Sequence, residues 1–137
     1  GKADLLLTDT KGNVAMWQMN GAEITLNKTF GVINTSWDVA GVADFNGDGK
    51  DDILWHNDNG QVAIWQMNGT QITDNKIVGS AGTAWDIADV GDYNKDGKAD
   101  VLWQNENTGA VAEWQMNGMQ VAQNVGITTV SHDWHIV

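Results

Sequence analysis

An all-β fold of repeated four-stranded sheets is predicted by three observations in this 137-residue chain. The pentapeptide Trp-Gln-Met-Asn-Gly recurs at 17–21, 65–69 and 114–118, at spacings of 48 and 49 residues. A second tryptophan series, Trp37, Trp85 and Trp134, follows each copy by 20 residues, and a third position carries Leu7, Trp55 and Trp103. Between these markers lie short runs rich in Val, Ile and Trp, bounded by turn residues and without a sustained helical period. Four antiparallel strands in such a unit, repeated, describe the blade of a β-propeller. Solenoid units are usually shorter and carry fewer hairpin turns.

The middle repeat shows the elements in order. Residues 37–45 alternate large and small side chains and predict a first strand, which 85–93 match. Asp52 to Asn57, Gln61 to Met67 and Gln71 to Gly79 follow as strands two to four. Asn59-Gly60 and Asn68-Gly69 are dipeptides that tolerate positive φ at both centres of a tight turn, and Asn20-Gly21 and Asn117-Gly118 repeat the second of them. The extra residue of the last interval falls within 104–109. The tryptophans are expected between adjacent sheets, where their large area is removed from water. One repeat domain spans 1–137, in units 1–48, 49–96 and 97–137.

The ends are permuted relative to this unit. Gly1-Lys2-Ala3-Asp4 aligns with Gly97-Lys98-Ala99-Asp100, and Trp134-His-Ile-Val aligns with Trp85-Asp-Ile-Ala. Strands therefore count three, four, four and one, so first- and last-blade material is circularly permuted and the last strand is available to complete the first blade. Three blades fall below the roughly 4–8 that close a ring. Open apolar faces and unpaired edges invite association. The expected assembly is a homodimer of six blades with the closing strand exchanged, with a nine-bladed trimer or a piece of a longer protein as alternatives.

Composition narrows the partners. Eighteen acidic and seven basic side chains give a formal charge of −11, and all seven cations are lysine. Such a chain repels phosphate backbones and anionic bilayers, so neither nucleic acid nor membrane insertion is expected. The absence of cysteine excludes disulfides, thiolate metal sites and a cysteine nucleophile.

The sharpest chemistry lies in two acidic loops, Asp44-Phe-Asn46-Gly-Asp48-Gly49-Lys50-Asp51-Asp52 and Asp92-Tyr-Asn94-Lys-Asp96-Gly97-Lys98-Ala-Asp100. Side-chain oxygens at positions one, three, five and nine, with glycine at six, suit a hard cation, and position seven offers a backbone carbonyl. Ca²⁺ takes about 6–8 oxygen ligands, whereas Mg²⁺ demands a rigid octahedron and keeps its waters. Carboxylates this close repel one another without a cation, so the fold is expected to depend partly on Ca²⁺. Two bound ions bring the formal charge from −11 to −7. The pattern differs from the EF-hand, which places a glutamate at position twelve between helices. A plain polar turn is the alternative reading of each loop alone, and recurrence at the repeat spacing argues against it. Asp4 stands by itself at position nine, so no third site is expected within one chain.

On these motifs, each followed by Ile-Leu-Trp or Val-Leu-Trp, the chain resembles the FG-GAP/VCBS-type calcium-binding repeats of integrin-like β-propellers, over essentially its whole length. The resemblance implies blades with Ca²⁺ between first and second strands. Its ligands would be Asp44, Asn46, Asp48, the Lys50 carbonyl and Asp52, then Asp92, Asn94, Asp96, the Lys98 carbonyl and Asp100. It also implies an extracellular or cell-surface setting, as in adhesion proteins, secreted enzymes and some lectins.

Catalysis is not expected. Ser131-His132-Asp133 are sequence neighbours, whereas a working triad is assembled in space and adjacent strand residues point to opposite faces. His56, His132 and His135 form no zinc pattern, and Glu23, Glu106 and Glu113 are scattered. Gly47 and Gly49 sit among carboxylates that repel phosphate. The expected function is a calcium-binding structural or interaction module with itself, a protein or a glycan as partner. The alternative is a multivalent lectin using Trp55 with His56 and Trp103 with Gln104, provided those rings lie at the surface.

Overall fold

Among the described residues the short apolar runs become eleven strands and no helix. The computed structural model describes residues 4–131 and 134. The readings made on Gly1 to Ala3, on the Asp4 side chain, on His132 and Asp133 of the trio, and on the closing strand beyond Trp134 lie outside them. Two compact units divide the chain, Gly1–Trp37 and Asp38–Val137.

In the first unit, β1 (Asp4–Thr8), β2 (Asn13–Asn20) and β3 (Glu23–Val32) form a three-stranded sheet in chain order. The second sheet runs β4 (Trp37–Ala43), β5 (Asp52–Asn57), β6 (Gln61–Asn68) and β7 (Gln71–Ser80). The third repeats it as β8 (Trp85–Gly91), β9 (Asp100–Asn105), β10 (Ala110–Asn117) and β11 (Gln120–Thr129). The all-β reading and the count of three, four and four strands are borne out. The first strand of the middle repeat stops at Ala43, two residues early, because Asp44 opens a loop and Phe45 turns inward to full burial.

The turns differ from the expectation. Asn68 pairs with Gln71, so the centres of that hairpin are Gly69 and Thr70, and only Gly69 takes positive φ (62°). A glycine at the first centre alone fits a primed turn whose second centre tolerates an ordinary residue. The Asn57 turn has three residues, with Gly60 N–H donating to the Asn57 carbonyl at 2.8 Å. Gly60 has φ +96°, and a Cβ there would run into the Ala81 carbonyl oxygen, so this position requires glycine.

Each sheet has two faces of fixed membership. In the second sheet, Leu54 lies opposite Ile64 on what we term the leading face, and Ile53 opposite Trp65 on the trailing face. Leu54, Val62 and Ile64 pack with Phe45 against the trailing face of the third sheet, on Val101, Trp103, Trp114 and Met116. Trp103 is 1% exposed, its ring centroid 4.8 Å from that of Trp114 and 5.5 Å from His56, which meets it edge-on. Trp103 and Trp114 are thus core between these two sheets, as expected, whereas Trp17, Trp37 and Trp85 are only half-buried and Trp134 is 70% exposed, against the expectation made for all the tryptophans. Burying each such side chain stabilises the fold by roughly 1.5–3 kcal/mol.

The outer strands β3, β7 and β11 are mostly exposed. Their pairing with β2, β6 and β10 is interrupted twice at equivalent places in every repeat, after Val14, Val62 and Val111 and after Gln18, Gln66 and Gln115.

Candidate metal centre

The two acidic loops connect β4 to β5 and β8 to β9, and glycine at position six takes positive φ in both, +83° at Gly49 and +84° at Gly97. In the first loop the Asp44 carboxylate accepts N–H bonds from Gly47 (2.8 Å), Asp48 (3.2 Å) and Gly49 (2.8 Å). Asn46 Oδ1 accepts from Asp48 N–H at 3.1 Å, and Asp48 Oδ1 accepts from Lys50 N–H at 2.9 Å. The Asn46 amide nitrogen also donates to Asp48 Oδ2 at 3.3 Å. Backbone donors thus curl the chain around the side chains of positions one, three and five.

The second loop repeats the lattice. Asp92 accepts from Asp96 N–H (3.1 Å) and Gly97 N–H (2.9 Å), Asn94 Oδ1 from Asp96 N–H (3.2 Å), and Asp96 Oδ1 from Lys98 N–H (2.9 Å). Position four is Gly47 at φ +77° in one loop and Lys95 at +63° in the other. The second loop therefore holds an ordinary residue in a left-handed conformation that costs it energy.

Position nine behaves differently. Asp52 and Asp100 are fully buried. Asp52 Oδ2 accepts from Phe45 N–H at 3.2 Å and its Oδ1 from Met67 N–H at 3.1 Å. Asp100 makes the same pair of bonds to Tyr93 N–H (3.2 Å) and Met116 N–H (3.0 Å). Each carboxylate braces its own loop to the third strand of its sheet. Burial pushes both pKa values up, and the charges of Asp48 and Asp44 raise Asp52 further, as Asp96 does Asp100. These amide partners are not legible in the sequence, because which N–H lies opposite depends on pairing register.

The first loop is tied to the second loop and to the turn between β10 and β11, and the second loop to the end of β10. Ala99 N–H donates to the Asp44 carbonyl at 2.8 Å, and Gly118 N–H to the Phe45 carbonyl at 3.0 Å. Lys98 turns its ammonium to Asn117 Oδ1 at 2.9 Å. The expected residues are therefore brought together as two hydrogen-bonded loops. Among the described residues, however, no three Asp, Glu or His side chains are gathered in metal-holding geometry. Their oxygens are turned to backbone amides instead. As a donor set, the uncharged and anionic oxygens of each loop fit a hard cation such as Ca²⁺.

Other sequence candidates resolve plainly. Trp55 and Trp103 are 3% and 1% exposed, so neither presents its ring at the surface. His56 Nε2 is buried without a partner, and burial pulls its pKa down, favouring the neutral ring. Gln104 donates to the Trp134 carbonyl at 2.7 Å. Glu113 is more than a scattered glutamate. It occupies the place of Met16 and Ile64, which are both buried, and this repeat-register difference was available in the sequence. Tyr93 donates its hydroxyl to Asp89 at 2.8 Å, and burial with that bond pushes its pKa up to about 12. Among the described residues no helix is long and apolar enough to cross a membrane.

A family model described as an FG-GAP-like repeat matches residues 1–55 and, again, 44–103. No curated protein and no solved structure matches the chain.

Proposed function

Because the chain belongs to the FG-GAP-like repeat family, we propose that it is a calcium-stabilised, non-catalytic β-propeller module that associates with further copies of itself. The observation that carries this reading is the same hydrogen-bonded lattice in both loops. Asp44 and Asp92 collect the N–H groups of positions five and six, which holds the side chains of positions three and five on the same turn. When bound, Ca²⁺ supplies the positive charge that the loop carboxylates lack. Asp44, Asn46, Asp48, Asp52 and the Lys50 carbonyl would hold one ion. Asp92, Asn94, Asp96, Asp100 and the Lys98 carbonyl would hold the other. An extracellular or cell-surface setting suits this chemistry, since modules there work with calcium sites of about 10⁻⁴–10⁻³ M affinity.

Thermal unfolding in calcium against unfolding in chelator tests the metal. Calcium at a hundredfold excess over its dissociation constant should stabilise the fold by about 2.7 kcal/mol per site. Titration calorimetry should find two ions on the native chain and one on Asp48→Ala or Asp96→Ala. No bound metal together with an unmoved melting temperature would overturn the reading.

Carbohydrate binding is a second reading, favoured by one feature. A cavity of about 200 Å³ is lined by Trp85, Trp103 and Trp114 with Ser80 and Asn124 at hand. Of these rings only Trp85 is partly exposed, and its face beside amide and hydroxyl groups suits a sugar ring, with the enclosed Trp103 and Trp114 behind it. A glycan array read in calcium decides it: selective capture of one sugar class supports this reading, and a blank array returns the module to a scaffold.

A further inference from the structure

We propose that the leading face of the third sheet and the trailing face of the first sheet are two halves of one contact, completed head to tail by a second copy of this chain. The proposal rests on the self-association read above and specifies its surfaces.

The chain already shows what this contact looks like. Leu54, Val62 and Ile64 on the leading face of the second sheet are fully buried, and they seal Val101, Trp103 and Trp114 on the trailing face of the third. The first sheet repeats that trailing face. Leu5 lies opposite Trp17 and Leu7 opposite Ala15, as Val101 lies opposite Trp114 and Trp103 opposite Ala112. Yet Leu5 is 48% exposed, and Leu7, Ala15 and Trp17 are only half-buried, where their third-sheet counterparts Val101, Trp103 and Trp114 are buried. The third sheet in turn repeats the leading face, with Tyr93, Leu102 and Glu113 at the places of Phe45, Leu54 and Ile64. Phe45 is fully buried, whereas Tyr93 is 43% exposed. Each open surface therefore has its matching surface elsewhere on the same molecule, which makes the contact heterologous and able to close into a ring.

Where the third sheet departs from the second, the departures fit this partner. Gly41 is glycine because β8 crosses there: a Cβ would stand 2.7 Å from Val90 Cγ2. The third sheet carries Asp89 at that place. Among the described residues the first sheet has three strands, β1 to β3, and none at the position of β8, so these strands of an incoming copy bring no counterpart of Val90 against Asp89. Glu113 sits where Ile64 packs, and its Oε1 is buried without a hydrogen-bond partner. A second acid, beside Asp89, in a contact built mainly from apolar side chains costs binding free energy. It makes the junction between copies weaker than the junction between sheets of one chain, and so reversible.

Sedimentation of the full chain in calcium tests the surfaces. Leu5→Glu spoils only the trailing face of the first sheet. Leu102→Glu, at the place that the fully buried Leu54 holds in the second sheet, spoils only the leading face of the third. Native-like circular dichroism of each variant verifies folding. The native chain should associate, and each variant alone should sediment as a monomer of 14.9 kDa. An equimolar mixture should form a heterodimer and stop there, because one good pair of faces remains. If the native chain associates while either variant alone still does so, or the mixture stays monomeric, this assignment of faces is wrong and self-association stands. A native chain that stays monomeric overturns both. Glu113→Ile should tighten association at least tenfold, and an unchanged dissociation constant would remove the role given to Glu113.

Discussion

Asp52→Ala should lower the unfolding free energy by about 3 kcal/mol in calcium-free solution, measured by urea unfolding, because it leaves two buried amides without an acceptor. The amides are those of Phe45 and Met67, and the carboxylate that serves them is fully buried. The loss should appear before any metal is added, which separates this residue from Asp48. Asp48 is exposed, and its replacement should act mainly through the ion. A calcium-free stability equal to that of the native chain would show that the brace is dispensable. The same carboxylate predicts a pH signature. Its pKa is raised in the folded chain, so between the ordinary value of 3.8 and the folded value the native state binds more protons than the unfolded one. The contribution of Asp52 to calcium-free stability should therefore rise as pH falls through the folded value, and level off below 3.8. Asp100 should act in the same direction. Calcium affinity should move the opposite way, since protonation removes the anionic ligand. Asp52→Asn imitates the protonated acid and should flatten its share of both slopes.

Trp103→Ala should cost about 3–5 kcal/mol, since it opens a large void in the contact between the second and third sheets. Trp103 touches Trp114 and His56 and is almost fully enclosed. Trp103→Phe should cost much less. The indole N–H it removes is buried without a partner, so the loss of ring area is offset by relief of an unsatisfied donor. Equal losses for alanine and phenylalanine would mean that the N–H, not the ring, makes the important contact. Denaturant unfolding followed by tryptophan fluorescence checks both variants.

Much of this architecture is legible in the amino-acid sequence. Regular spacing of Trp17, Trp65 and Trp114 places one hairpin strand per repeat, and strict alternation fixes which side chains share a face. The loops were legible because Asp, Asn, Asp and Asp recur at one spacing. What escaped was set by geometry across strands. Asn68 looked like the first centre of a tight turn, but it is the last paired residue of its strand, and Gly69 carries the reversal. Asp52 was legible as an oxygen donor, yet its two amide partners lie 7 and 15 residues away and follow from register alone. Glu113 was visible as a letter, and its meaning emerges only beside Ile64, whose burial shows what that place normally holds.

The paired interruptions of β3, β7 and β11 have a consequence for the behaviour of the chain in a crowded, concentrated milieu. A long solvent-facing strand is a template on which other molecules can stack indefinitely into fibrils. Each of these outer strands is kinked twice, which strengthens local twist and offsets the straight row of donors and acceptors that such stacking needs. The molecule is thereby steered away from runaway polymerisation along these three strands.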